Sequence, residues 1–223
     1  VFMNEAKSAQ TILDDRFNTL GRSMILVNNL KTVSNTPLAN SHNLKNGIAE
    51  IATLMNRDED ILVLFLTSHG TKDHNLSANF PPFKLISIDA EIINSALNSA
   101  EIKWRIIIIS ACYSGGFIAP LSSPYSLIIT ASNSEQNSFG CGHNGQYTYF
   151  GDAYLENGLK QTQSFIQAFD VAKDIILEKE NKKGFENSDP QIMIGSEIES
   201  KLIEYEKSLE AKRRNNWAVT ASH

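Results

Sequence analysis

The stretch Arg105-Ile106-Ile107-Ile108-Ile109-Ser110-Ala111-Cys112-Tyr113-Ser114-Gly115-Gly116 decides the fold. Four consecutive isoleucines predict a strand buried on both faces, as in parallel sheets covered by helices on each side. The run breaks into small residues, and the first reactive side chain past the break is Cys112. A second apolar run, Ile61-Leu62-Val63-Leu64-Phe65-Leu66-Thr67, breaks the same way into Ser68-His69-Gly70. Two buried strands thus each deliver a chemically capable side chain at their C-terminal ends. In open α/β sheets that edge is where sites are built.

Working outward, the chain alternates helical and strand patterns. Residues 4–18 carry Ala6, Ala9, Ile12, Leu13 and Phe17 at helical spacing, and Ser23–Val27 reads as a strand stopped by Asn28-Asn29. Leu44, Ile48, Ile51 and Met55 mark a second amphipathic helix ahead of the strand at 61–67. Residues 71–87 are polar with Pro81-Pro82, a long loop or hairpin beside His69. Asp89 is placed to cap a helix running to Ala100. After the cysteine strand come a buried strand at 126–131, a polar run at 132–138, a helix at about 162–179 and a short strand at 191–194. Ser196-Glu197-Ile198-Glu199 has the form of a capping box opening a last helix, with Ile198, Leu202, Tyr205 and Leu209 on one side. The tail from Arg213 reads as weakly ordered. Strand–helix alternation predicts an α/β fold, a mostly parallel sheet between two helical layers. Such domains open on a strand and this chain opens on a helix, so the first strand is expected upstream of Val1.

Composition sets the bounds. A chain of 223 residues, 42% hydrophobic and 20% charged, suits one globular domain (1–212) with a large core. The net charge of −5 and the lack of a basic stretch argue against nucleic acid as a partner. No apolar run reaches the roughly 18 residues of a membrane span. A leader or anchor upstream of Val1, and with it a bacterial-envelope location, is compatible with a chain that opens at valine. Cys112 and Cys141 are the only cysteines, which excludes a disulfide framework and leaves a single bridge as the alternative to a free nucleophile.

A cysteine attacks as its thiolate, and a free thiol has a pKa of roughly 8.5, so a neighbour must remove the proton. His69 is the candidate base, able later to protonate the leaving amine. Gly70 lets backbone approach closely, and its N–H, with that of Cys112, is a candidate oxyanion donor. The N–H groups of Ser114-Gly115-Gly116 are further candidates to stabilise the thiolate. Against this stand plainer readings: a cysteine that packs as a small apolar residue, or zinc held by Cys141, His143, Cys112 and His69, although Cys141-Gly142-His143 is not a usual ligand spacing. His42, His74 and His223 sit in polar contexts and read as surface residues. No cofactor is expected.

Four segments occur in a telling order: Ser68-His69-Gly70; Ser110-Ala111-Cys112-Tyr113-Ser114-Gly115; Thr130-Ala131-Ser132-Asn133-Ser134-Glu135-Gln136-Asn137-Ser138-Phe139-Gly140-Cys141; and Tyr147-Thr148-Tyr149-Phe150-Gly151-Asp152-Ala153-Tyr154. From near residue 5 to near 195 the chain resembles the legumain-like cysteine peptidases, family C13 of the caspase-like clan, with the bacterial branch the best fit. The resemblance implies a caspase-like αβα sandwich and a His69–Cys112 dyad with Gly70 as oxyanion donor. It implies a peptide or protein substrate cleaved through a thioester after asparagine or aspartate, or transfer of the acyl group to an amine. It also implies a specificity pocket containing Asp152, with Ser138 and Asn137 in its wall. Asp152 is alternatively a cap for a helix starting near Ala153. Tyr113 stands where legumain has glutamate, as a pocket lid or a packing residue. A pocket arginine and a histidine-supporting asparagine of the family fall at or before Val1. Two further readings stay open: a non-catalytic scaffold with the same fold, and self-processing at Asn215-Asn216.

Overall fold

The computed structural model describes residues 1–142 and 145–220, with side chains through Ala211. Its frame is a four-stranded sheet in the order β1 (Ile61–Thr67), β2 (Trp104–Ser110), β3 (Ser126–Thr130) and β4 (Gln191–Ile194). The first three strands are parallel and β4 runs antiparallel to β3. The helices are α1 (Phe2–Arg16), α2 (Ser41–Leu54), α3 (Ala90–Ser99), the short α4 (Ile118–Leu121), α5 (Tyr149–Gly151), α6 (Phe165–Lys183) and α7 (Ile198–Thr220). A tight 3₁₀ turn at Ser114–Phe117 leads into α4, and α5 continues as a π-helical segment, Asp152–Leu159.

The isoleucine run is the middle of the core. Ile106 to Ile109 are each at most 1% exposed. Removing one such side chain down to Ala costs about 2–5 kcal/mol. Alternation sorts the sheet's side chains into two layers. Val63, Phe65, Ile106, Ile108, Leu127, Ile129 and Ile192 pack with α1, the π-helical segment, α6 and α7. Leu62, Leu64, Leu66, Ile107, Ile109, Ile128 and Met193 pack with α2, α3 and Phe117–Leu121. The ladder register agrees, since Val63 pairs with Ile106 and Ile106 with Leu127. The result is the expected three-layer αβα sandwich.

Local signals account for most helix starts. Asn40 caps α2 by accepting from the Asn43 N–H at 2.8 Å, and Asp89 caps α3 by accepting from Ile92 N–H at 2.8 Å. Two expectations fail. Ser23–Val27 belongs to no strand, because no neighbouring strand lies beside it to complete a ladder. The capping box at Ser196 does not form: α7 begins at Ile198, and the Ser196 hydroxyl bonds the Glu197 carboxyl instead. The α7 backbone runs on through Thr220, while the side chains of the expected tail, Asn215 and Asn216 included, lie outside the described residues, as do His143 and His223. No helix among the described residues is long and apolar enough to cross a membrane.

Candidate active site

Register brings the two reactive strand ends together. Thr67 of β1 pairs with Ser110 of β2, and the Ser68 N–H donates to the Ser110 carbonyl at 3.3 Å. His69 and Gly70 therefore leave β1 directly beside Ala111 and Cys112 leaving β2. The approach at Gly70 is close: a Cβ there would fall 1.9 Å from the Cys112 carbonyl oxygen, so only glycine fits. His69 is exposed, and its ring meets the ring of Phe2 edge-on at 4.9 Å.

The Cys112 sulfur is half-buried and free. Its thiol donates to the Ser138 carbonyl at 3.2 Å and accepts from the Ser138 N–H at 3.3 Å. Burial pushes the thiol above its ordinary pKa; the backbone N–H groups of Ser138, Cys112 and Gly70 pull the other way, while nearby Cys141 adds to the rise. A thiol raised by desolvation is a poor nucleophile unaided, so attack at neutral pH needs a base. The N–H groups of Gly70 and Cys112, the two expected oxyanion donors, both lie beside the sulfur. The N–H groups expected to help from 114–116 are committed elsewhere, Ser114 to the Ser132 hydroxyl and Gly116 to the Tyr113 carbonyl, each at 3.2 Å.

The nucleophile loop is braced on every side. Tyr113 adopts a left-handed conformation, φ +57°, uncommon for a non-glycine residue. It is held there by its backbone: its N–H donates to Gln136 O at 2.9 Å and its carbonyl bonds His74 Nδ1 at 3.1 Å. His74 is therefore a half-buried strut from the loop after β1, not a surface residue. Its ring lies over Gly116, where a Cβ would fall 2.1 Å away. Behind the loop, buried Ser132 donates to the Ala111 carbonyl at 3.2 Å and meets the Ser114 hydroxyl at 3.3 Å.

Beneath both strand ends lies a residue the sequence did not single out. Glu5 of α1 is wholly buried. One carboxyl oxygen accepts from the Thr67 hydroxyl and the other from the Thr148 N–H, both at 2.6 Å. The Thr148 hydroxyl in turn meets Ser110 at 3.2 Å and caps α5 by accepting from Gly151 N–H at 2.9 Å. Glu5 thus ties the end of β1, the end of β2 and the start of α5 into one unit. Gly151 is required beside it, since a Cβ there would fall 2.2 Å from Glu5 Oε1. The only signal in the sequence was an acidic residue in the first turn of a helix, which elsewhere marks a helix dipole partner on the surface.

The proposed pocket residues divide. Ser138 touches the sulfur through its backbone, while Asn137 is exposed on the same loop. Asp152 does not cap a helix, because Thr148 does so four residues earlier. Its carboxylate pairs with Lys179 of α6 at 2.8 Å, and that ammonium also sits 4.6 Å from the Tyr149 ring centroid.

A parallel α/β sandwich that offers cysteine and histidine at adjoining strand ends defines a caspase-like domain of the cysteine-peptidase type. Among solved structures, caspase-1 from Spodoptera frugiperda superposes with a TM-score of 0.56 at 14% identity, covering 84% of this chain and 77% of that one, a likeness of fold. None of the curated proteins matches. The profile of the Peptidase C13 family matches residues 25–201, and the chain belongs to that family, the legumain-like cysteine peptidases.

Proposed function

We propose that this protein is a cysteine endopeptidase that cleaves peptide bonds through a thioester on Cys112. The carrying observation is the convergence of the Gly70 and Cys112 N–H groups on the Cys112 sulfur at the rim that also bears His69. In this reading His69 takes the Sγ proton as sulfur attacks the substrate carbonyl. The oxyanion forms against the Gly70 and Cys112 amides. The C–N bond then breaks as His69 returns the proton to the departing amine. Water, deprotonated by His69, hydrolyses the thioester and regenerates the thiol. One oxyanion donor in acyl transfer is worth about 3–4 kcal/mol.

The thiol's hydrogen bond to Ser138 O must break before the proton moves, so substrate docking along residues 137–139 is the step that frees the sulfur. Cleavage after asparagine or aspartate is supported by Asp152, whose Oδ2 is held by Lys179 and whose Oδ1 remains an acceptor for a side-chain amide. Profiling with a positional peptide library, together with labelling by an acyloxymethyl ketone, tests the reading. Wild type should cleave and label, and Cys112→Ala should do neither. Equal turnover by Cys112→Ala would end the proposal. Hydroxylamine in the same assay reports whether an amine captures the thioester ahead of water.

A further inference from the structure

Along the free edge of β1 runs a cavity of about 870 Å³, near the top of the range for ligand sites of about 300–1,000 Å³. It has four walls. One is β1 itself, which pairs only with β2. The opposite wall is the apolar run Met24-Ile25-Leu26-Val27, which belongs to no ladder. The roof and floor are α1 and α2, and they offer small residues, Ala6 and Ala9 from one and Gly47 from the other.

Three observations say what this space is shaped for. First, β1 is as apolar as β2 yet mostly half-exposed, whereas Ile106 to Ser110 of β2 and all of β3 are buried. An open apolar edge of seven residues is a pairing template, not a finished boundary. Second, its two faces look onto different helices, so an occupant must be apolar on both sides, as a central parallel strand is. Third, α1 starts at the reactive rim, with Phe2 against His69. A strand that ends at Val1 would run parallel to β1, and α1 would then be the crossover that carries the chain back to Met24–Val27.

We infer that this slot seats a further β-strand, apolar on both faces and about five to seven residues long, formed by chain immediately ahead of Val1 and pairing parallel with β1 on one side and Met24–Val27 on the other. The inference rests on the slot alone and is independent of the peptidase reading. By pinning α1 at its start, the strand would also fix Phe2 against His69 and Glu5 beneath the site.

The experiment compares the 223-residue chain with the same chain carrying its natural upstream residues, by hydrogen exchange and light scattering. The upstream residues should slow amide exchange in 61–67 and in 23–27 by at least about tenfold and give a monomer. A control with aspartates in place of the upstream apolar residues should lose that protection. Equal exchange in both forms, protection that survives in the aspartate control, or upstream residues that trypsin removes from the folded protein would overturn the inference. Protection of 61–67 in a dimer of the 223-residue chain would give the slot to a second copy and overturn it as well. So would a full-length chain found to start at Val1.

Discussion

Replacing Glu5 should separate what its shape does from what its charge does. Glu5→Ala leaves the Thr148 N–H without its acceptor at 2.6 Å in a site where Thr148 is 5% exposed. An unsatisfied buried donor costs about 1–3 kcal/mol. The Thr67 hydroxyl loses its acceptor too but can rotate, so it adds less. Removing the carboxyl also opens a void against Gly151, adding roughly 1 kcal/mol or more. The expected total is about 3–4 kcal/mol, a large share of a typical 5–15 kcal/mol stability. For a chain of this size each kcal/mol lowers Tm by about 2–4 °C, so Glu5→Ala should melt about 6–16 °C lower. Glu5→Gln is different. Its amide oxygen can keep the Thr148 N–H, while its NH₂ donates to the Thr67 hydroxyl, which can accept as well as donate. That variant should stay within about 1 kcal/mol of wild type. Calorimetry decides stability, and kcat against KM on a library-selected peptide reports the site. Since Glu5 acts through Thr67 and Thr148, Ala should lower kcat while Gln largely restores it. Equal damage from Gln and Ala would refute the hydrogen-bonding argument. A harmless Glu5→Ala would show that the network does not position the site.

Further expectations follow from the same geometry. Gly70→Ala forces a Cβ to 1.9 Å from the Cys112 carbonyl oxygen, so kcat/KM should fall at least about 10²-fold while circular dichroism keeps the native signature; an active Gly70→Ala would remove Gly70 from the oxyanion role. In His69→Ala the thiol lacks its base, and its burial-raised pKa keeps it protonated at neutral pH. Iodoacetamide should then alkylate Cys112 slowly at pH 7 and faster only as pH rises past the ordinary thiol value of about 8.5; fast alkylation at pH 6 would contradict the assignment of His69 as base. Gly151→Ala should destabilise by about 1–3 kcal/mol through its clash with Glu5 Oε1 and be partly rescued when combined with Glu5→Ala; strict additivity in the double-mutant cycle would argue against the contact. Asp152→Ala breaks a half-exposed pair with Lys179 and should shift stability by at most about 1 kcal/mol while changing the residue preferred at the cleavage point; an unchanged preference would leave Asp152 a purely structural residue.

Apolar periodicity alone sufficed for the layer plan, because which face a side chain takes is set locally, by the pleat of a strand or the turn of a helix. The isoleucine run, the strand at 61–67 and the Asp89 cap could all be read without any partner in view. The placement of Cys112 and His69 at strand ends also followed from sequence, since each run stops where its apolar residues stop. What only the tertiary structure decided was everything made by atoms far apart in the chain or common to every residue. Glu5 meets Thr148 across 143 positions, and no local pattern encodes that meeting. The groups around the Cys112 sulfur are backbone amides, which residue type does not announce. His74 looked like a surface histidine because its partner is a carbonyl on another loop. Ser23–Val27 carries a strand's composition, yet a strand exists only as one side of a ladder, and hydrogen-bond partners are a property of the fold, not of the segment.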